Sequence, residues 1–394
     1  MAANPYAPGA GTAPPVLVGR DIQLSVIDGT AVLVEAGRSP QHVVLTGLRG
    51  VGKTVLLKAA VRRLRDRDWL CGYYEVRRDA EVGVAIATIV VEGASLLPKQ
   101  AKLRAVLRTV RSSIGAATLS GAPDGTVSLQ VSARDQPSNS DPYLEALRLF
   151  RTLGQAAKSD GVGVALCVDE AQMFRRKDAT TLLQALEANA EDDSRVLLLA
   201  AGLPTTPVEL SKACNYAERF RYEPLDDLTA PDARRAVGEA STREGVEWEH
   251  DAIERVVELA RGYPFFLQLY ASEAWEVAAE SQRPVARITA QHVAAAEPRV
   301  ARRLDNGLYA TRYGRSSAAE REYLHAIGSL MRDDTATVRS GEVARALGKT
   351  LGELSSVRDR LIRKGVIHAP TLGELAFSVP GFRGYVTRQS ADER

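Results

Sequence analysis

Gly47, Gly50, Gly52, Lys53 and Thr54 stand in the run Gly-Leu-Arg-Gly-Val-Gly-Lys-Thr, which fits the spacing G-x-x-x-x-G-K-[ST]. The chemistry this predicts is the binding of an oligophosphate. Glycines lack the Cβ atoms that would hold an anion off the chain. Backbone N–H groups of Gly47, Gly50, Val51, Gly52, Lys53, Thr54 and Val55 can then wrap it. A helix opening at this point adds the partial positive charge of its N-terminus. The Lys53 ammonium can reach β- and γ-phosphates, and the Thr54 hydroxyl can ligate Mg2+. A second group stands at Asp169-Glu170, directly after the apolar run Gly163 to Val168. Asp169 is expected to hold the Mg2+ shell and Glu170 to act as general base on an attacking water. No Asn-Lys-x-Asp guanine motif is present, so ATP is the expected nucleotide.

Such groups need strand ends and helix starts to hold them. Residues 42–47 read as a buried strand, Thr54 to Leu64 as a helix and residues 72–77 as a second strand. Residues 80–113 have helical spacing, through Val84, Ile86, Ile89 and Val90 and then Leu103, Val106, Leu107 and Val110. Residues 114–140 read as an insertion or hairpin, and 141–158 as a helix capped by Asp141. The uninterrupted apolar runs at 163–168 and 195–201 suit parallel strands buried on both faces, and residues 178–190 suit a helix between them. Strands separated by helices predict an α/β fold with a doubly wound parallel sheet.

From Asp227 to about 298 only helices are expected, one of them starting at Thr229. Residues 316–332, 340–348 and 351–364 read as three helices, followed by a hairpin through Val366–His368 and Leu375–Phe377. That order is the pattern of a winged helix-turn-helix. The expected divisions are a disordered Ala/Pro/Gly-rich tail at 1–15, a sheet domain at 16–227, a small helical domain at 228–300 and the winged helix at 301–394.

With 394 residues, 45% hydrophobic and 25% charged, the chain can bury several cores. No apolar run approaches the ~20 residues of a membrane span. Cys71, Cys167 and Cys214 form no CxxC pair, which argues against a disulfide framework or zinc ribbon and for a reducing cytosol. The net charge is +2, but residues 301–394 carry sixteen Lys/Arg against eleven Asp/Glu. That surplus permits contact with a polyanion.

The chain resembles AAA+ ATPases, and more narrowly the branch of archaeal-type origin-recognition initiators with the related STAND and archaeal-ATPase groups. The resemblance rests on Val18-Gly19-Arg20-Asp21, Gly47 to Thr54, Val168-Asp169-Glu170-Ala171-Gln172, Tyr222 to Leu225, and Gly262-Tyr263-Pro264. It implies a nucleotide-binding base, a helical lid and the winged helix. It makes Val18, Gly19 and Arg20 candidates for the adenine pocket. It looks for a γ-phosphate sensor after the strand at 195–201, where Thr205 and Thr206 stand. It assigns an arginine finger, aimed at the ATP of a neighbour in a homo-oligomer, to Arg219 or Arg221. The lid arginine usual after the glycine is missing, since Tyr263-Pro264-Phe265-Phe266 stands there. That departure points to STAND-like members, in which a proline such as Pro264 packs on the nucleotide, and to slow turnover.

In the third helix of the C-terminal module, Leu354, Val357 and Leu361 form an apolar face, while Ser355, Ser356, Arg358, Arg360 and Lys364 could meet phosphates or base edges of double-stranded DNA. The turn at Thr371–Glu374 carries an acid and no base, which is unfavourable beside phosphates. Two functions follow. One is an ATP-binding and ATP-hydrolysing switch that couples ATP and ADP states to DNA through the winged helix. The other is a STAND-type signalling or defence NTPase whose winged helix docks a protein.

Overall fold

The computed structural model describes residues 3–9, 11–39, 41–77, 80–95, 117–121, 127–131, 141–190, 195–282 and 284–392. They fall into two compact units. A sheet unit holds Arg20–Gly47 and Lys53–Leu225, and a helical unit holds Met1–Gly19, Leu48–Gly52 and Asp226–Arg394.

In the sheet unit the strands are β1 (Val43–Gly47), β2 (Leu70–Glu75), β3 (Ala117–Gly121), β4 (Val127–Val131), β5 (Val164–Asp169), β6 (Val196–Gly202) and β7 (Arg221–Leu225). The helices are α1 (Asp21–Glu35), α2 (Lys53–Asp66), α3 (Val82–Ser95), α4 (Pro142–Asp160), α5 (Arg176–Ala190) and α6 (Thr206–Ala213). Five strands form one wholly parallel sheet in the order β2-β5-β6-β1-β7. Every residue of β1, β5 and β6 is buried, as apolar runs covered on both faces must be. Asp141 caps α4, its carboxylate accepting from Tyr143 N at 3.0 Å. Gly72 lets α3 lie directly on β2, since a Cβ there would fall 1.9 Å from the Ile89 carbonyl oxygen.

The expected strands and helices of this unit are present, and so is a strand the sequence hides. β7 reads Arg-Tyr-Glu-Pro-Leu, without an apolar run, because it closes an edge of the sheet where Pro224 needs no ladder donor. Helix α3 occupies the first part of the 80–113 reading, and Leu103, Val106, Leu107 and Val110 lie outside the described residues. Within 114–140 the described residues form the antiparallel hairpin β3–β4, with Leu119 opposite Leu129.

The helical unit contains α7 (Ala230–Thr242), β8 (Glu247–Trp248), α8 (His250–Ala260), α9 (Pro264–Ser281), β9 (Arg287–Ile288) and α10 (Ala290–Leu304). After a π-helical stretch, Asp305–Tyr309, come α11 (Ala310–Gly314), α12 (Ala318–Leu330), β10 (Val338–Arg339), α13 (Ser340–Ala346), α14 (Leu351–Arg363), β11 (Ile367–His368), β12 (Glu374–Phe377) and α15 (Phe382–Asp392). Strands β10, β12 and β11 form a small antiparallel sheet in that order.

Three expectations are corrected here. The stretch 228–300 is not strand-free, because β8 and β9 pair in parallel over two residues each, too short to leave a periodic signal. The N-terminal tail is not disordered throughout: Tyr6 is 5% exposed, donates to the Val237 carbonyl at 2.6 Å, and meets Trp248 and Trp275 edge-on. Asn4 adds bonds to Ser272 and Glu276. One buried aromatic anchors a stretch whose Ala/Pro/Gly composition reads as disorder. No break occurs at 300/301, where α10 runs through and one apolar core extends from Tyr6 to Val386. The helix at 382–392 and strand β10 were not expected.

Candidate nucleotide site

Helix α2 opens at Lys53 itself, so the lysine and threonine of the glycine-rich motif are its first two residues. Lys53 is 6% exposed, and its Nζ donates to the Gly47 carbonyl at the end of β1, 2.9 Å away. The Thr54 hydroxyl donates to Asp169 Oδ2 at 2.6 Å. Asp169 ends β5, beside β2, and the Tyr73 hydroxyl of β2 donates to the same oxygen at 2.9 Å. Burial, reinforced by the Asp169 charge, pushes the Tyr73 phenol well above its ordinary range, so it stays a donor.

The remaining oxygen of Asp169 accepts from Glu170 N at 2.9 Å. Asp169 is 2% exposed, and among the described residues every group bonded to its carboxylate is neutral. A buried carboxylate bonded in this way would be stabilised by a cation.

Glu170 turns the chain off the strand with φ of +53°, a left-handed backbone that costs a non-glycine residue free energy and is found at functional sites. The Gln172 amide donates to the Glu170 carboxylate, and its oxygen accepts from Leu203 N at 3.1 Å. The Thr206 hydroxyl, fully buried, sits 3.5 Å from the same Gln172 oxygen. The end of β6 is thereby linked to Glu170 through one amide. Of the two threonines expected as a sensor, Thr206 makes this contact, and Thr205 precedes α6 without a side-chain cap bond. Sequence reasoning gave no role to Tyr73 or Gln172. Gln172, two residues past Glu170, could have been suspected, whereas Tyr73 is brought in only by the β2–β5 register.

The other candidates are divided between the two units. Arg20, 7% exposed, precedes α1 in the sheet unit, while Val18 and Gly19 belong to the helical unit, where a Cβ on Gly19 would meet Asp232 and Leu228 at 2.9 Å. Arg219 and Arg221 are both exposed at the β7 edge, and Arg221 pairs with Glu223 at 2.7 Å. Residues 48–52 belong to the helical unit, where the Tyr263 hydroxyl donates to the Arg49 carbonyl at 2.6 Å. Pro264 is the first residue of α9, directly after this tyrosine.

Residues 16–199 match the family model described as an AAA ATPase domain. This stretch is an AAA ATPase domain. The parallel sheet and glycine-rich motif of the AAA ATPase domain are those of a P-loop NTPase. Residues 306–386 match a second model, described as a domain of unknown function (DUF8462). No curated protein is a recognisable sequence relative of the chain. Among solved structures, the Walker-type ATPase PABY2304 of Pyrococcus abyssi shares the fold at a TM-score of 0.60 and 14% identity, over 96% of this chain and 98% of that one. The Aeropyrum pernix Orc1 protein, solved in complex with DNA, aligns at 17% identity over 97% and 95% of the two chains with a TM-score of 0.47. Cdc6p from Pyrobaculum aerophilum aligns at 15% identity over 98% and 97% with a TM-score of 0.43.

The oxygen donors Thr54 and Asp169 suit a hard cation such as Mg2+. Among the described residues no group of three or more His, Cys, Asp or Glu could hold a metal, so such an ion would take its further ligands from phosphate and water. All three cysteines are free, and among the described residues no helix is long and apolar enough to cross a membrane.

The residues expected to meet DNA are differently placed. Arg360 Nε donates to Glu320 Oε1 at 3.2 Å, and Lys364 Nζ to Glu320 Oε2 at 2.6 Å. Glu320, 1% exposed, also caps α12 by accepting from Ser317 N at 2.7 Å. Burial opposes its ionisation, but Lys364, Ser317 N and Arg360 outweigh burial and hold its carboxyl below the ordinary range. Arg358 pairs with Asp359 at 3.1 Å, and the Ser355 hydroxyl donates to the Gly352 carbonyl.

Proposed function

We propose that the protein is an ATP-binding and ATP-hydrolysing switch. The observation that carries this reading is the Thr54–Asp169 contact at 2.6 Å beside Tyr73, a buried carboxylate bonded by neutral groups at the end of a parallel strand. Lys53 exchanges the Gly47 carbonyl for phosphate oxygens, gaining charge-assisted bonds. Thr54 and Asp169 would hold Mg2+, which would neutralise charge on the oligophosphate. Glu170 accepts a proton from the attacking water, and Gln172 restrains its carboxylate until the nucleotide is seated. Val18, Gly19, Arg20 and Pro264 contact the base, and Arg219 serves a neighbouring copy in a cytosolic homo-oligomer.

The three-helix and small-sheet module at 318–377 acts as a winged helix that meets double-stranded DNA through Ser355, Arg358, Arg360 and Lys364, with nucleotide selecting between two states of different DNA affinity. A second reading is favoured by a specific observation. Arg360 and Lys364 already end on Glu320, and the exposed hairpin tip carries Glu374, which suits a protein partner better than phosphates. Fluorescence anisotropy of a labelled duplex, with and without MgATP across a salt series, separates the two. DNA recognition gives binding that changes with ATP and falls steeply with salt. Absence of binding in both nucleotide states at low salt assigns the module to a protein.

A further inference from the structure

The helical unit contains residues 48–52 of the glycine-rich motif, and three segments converge on them. Tyr263, 2% exposed, donates to the Arg49 carbonyl. Gly50, with φ of +93°, lies so close beneath the same ring that a Cβ would fall 2.0 Å from the phenol oxygen. The Arg49 side chain reaches the turn after α14, its Nε 2.9 Å from where a Cβ of Gly365 would stand. Arg312 of α11 reaches the same residue, its Nη1 donating to the Gly365 carbonyl at 2.9 Å. Two guanidiniums and a phenol thus gather around the turn expected to wrap an oligophosphate.

Arg312 is half-buried, and among the described residues its one hydrogen-bond partner is that neutral carbonyl, with no carboxylate within ion-pair distance. Burial and the like charge of Arg49 lower its pKa, with only Tyr263 and Tyr309 opposing. A desolvated guanidinium bonded to a neutral carbonyl gains from an added anion.

We propose that Arg312 is a further nucleotide-binding residue, a phosphate ligand supplied by the segment that leads into the C-terminal module. It provides the cation that the start of α9 lacks, where Tyr263-Pro264-Phe265-Phe266 holds no arginine. Because Arg312 is tied to Gly365 at the end of α14, phosphate capture by Arg312 pulls on that turn. This gives nucleotide state a direct route to the C-terminal module. The inference rests on the ATP-binding reading above.

The test is titration calorimetry of the full chain with MgATP, for the wild type, Arg312→Gln and Arg312→Lys, together with Tm measured without nucleotide. Glutamine can still donate to the Gly365 carbonyl but carries no charge. Arg312→Gln is expected to lose at least tenfold in ATP affinity with a nucleotide-free Tm no lower than wild type. Arg312→Lys, which keeps the charge, is expected to recover part of the loss. Wild-type ATP affinity in Arg312→Gln, whatever its Tm, overturns the proposal. So does an affinity loss that accompanies a fall of several degrees in the nucleotide-free Tm and is not relieved by lysine, since that describes a packing tie alone. A wild type that binds no ATP overturns the nucleotide reading itself and the proposal with it.

Discussion

Asp169 and Glu320 are both almost fully buried carboxylates, one in the sheet unit and the other in the helical unit, and they are satisfied in opposite ways. Asp169 accepts from two hydroxyls and one backbone N–H. Glu320 accepts from a backbone N–H and from two cations, Arg360 and Lys364. Breaking a compensated buried pair exposes a strong structural dependence, whereas an uncompensated buried charge is carried at a cost that a ligand can relieve. The difference separates a site from a structural tie, although both contain acids and basic residues close by. It also explains why the basic surplus of residues 301–394 is a weak guide to function, since part of it is spent on Glu320.

The largest expected effect falls on Glu170. Glu170→Gln should lower ATP turnover by roughly 100- to 10,000-fold, the contribution usual for a positioned base, with ATP affinity nearly unchanged. Phosphate release and calorimetry on the same sample read both quantities. Unchanged turnover would remove Glu170 from its role and weaken the claim that the Asp169 neighbourhood is the site. Next is Lys53→Ala, which should weaken ATP by roughly 10- to 100-fold, since hydrogen bonds to charged groups contribute about 1.5–3 kcal/mol.

The comparison itself is tested by a matched pair of substitutions. Glu320→Gln should destabilise the protein by about 1.5–3 kcal/mol, because it discharges a carboxylate that two cations and a helix cap depend on. Asp169→Asn should leave the nucleotide-free stability unchanged or raised, while abolishing the dependence of ATP affinity on Mg2+. Denaturant unfolding of the two variants side by side decides it, and equal destabilisation would break the contrast.

His42 shows a third way to bury an ionisable group, by keeping it neutral. Its ring is buried, Nδ1 accepts from Leu198 N at 3.1 Å, and burial lowers its pKa to about 3. Below the unfolded value of about 6.5 the unfolded chain binds the proton and the folded chain does not. The stability this group contributes is therefore present above about 6.5 and lost as pH falls towards 3, by at most about 1.4 kcal/mol per pH unit. His42→Asn, which keeps an acceptor near the Nδ1 position, should flatten that part of the stability–pH curve between 6.5 and 5. A slope identical to wild type would show that the histidine is not the group responsible.

The smallest expected effect is that of Arg358→Ala. Its partner Asp359 is exposed, so stability should change by less than about 1 kcal/mol. A large loss of duplex binding in this variant would return the α14 surface to DNA.

Much of the sheet unit was legible in the sequence, because strands buried on both faces leave continuous apolar runs, as β5 and β6 do. The glycine-rich motif was legible for a related reason. Its glycines, lysine and threonine are demanded by local geometry at one strand-to-helix turn, so their spacing in sequence mirrors their spacing in space. Asp169 and Glu170 were readable as the end of such a strand. Tertiary structure alone decided the rest. Tyr73 reaches Asp169 through a register between strands about a hundred residues apart, and Tyr6 is buried by helices more than two hundred residues away. Nothing local distinguishes Arg360 and Lys364, which Glu320 claims from forty residues upstream, from Arg312, which among the described residues has no acid within ion-pair distance. Residue type and spacing determine which groups could do chemistry. Which charges are compensated is a sum over neighbours that only the folded chain brings together.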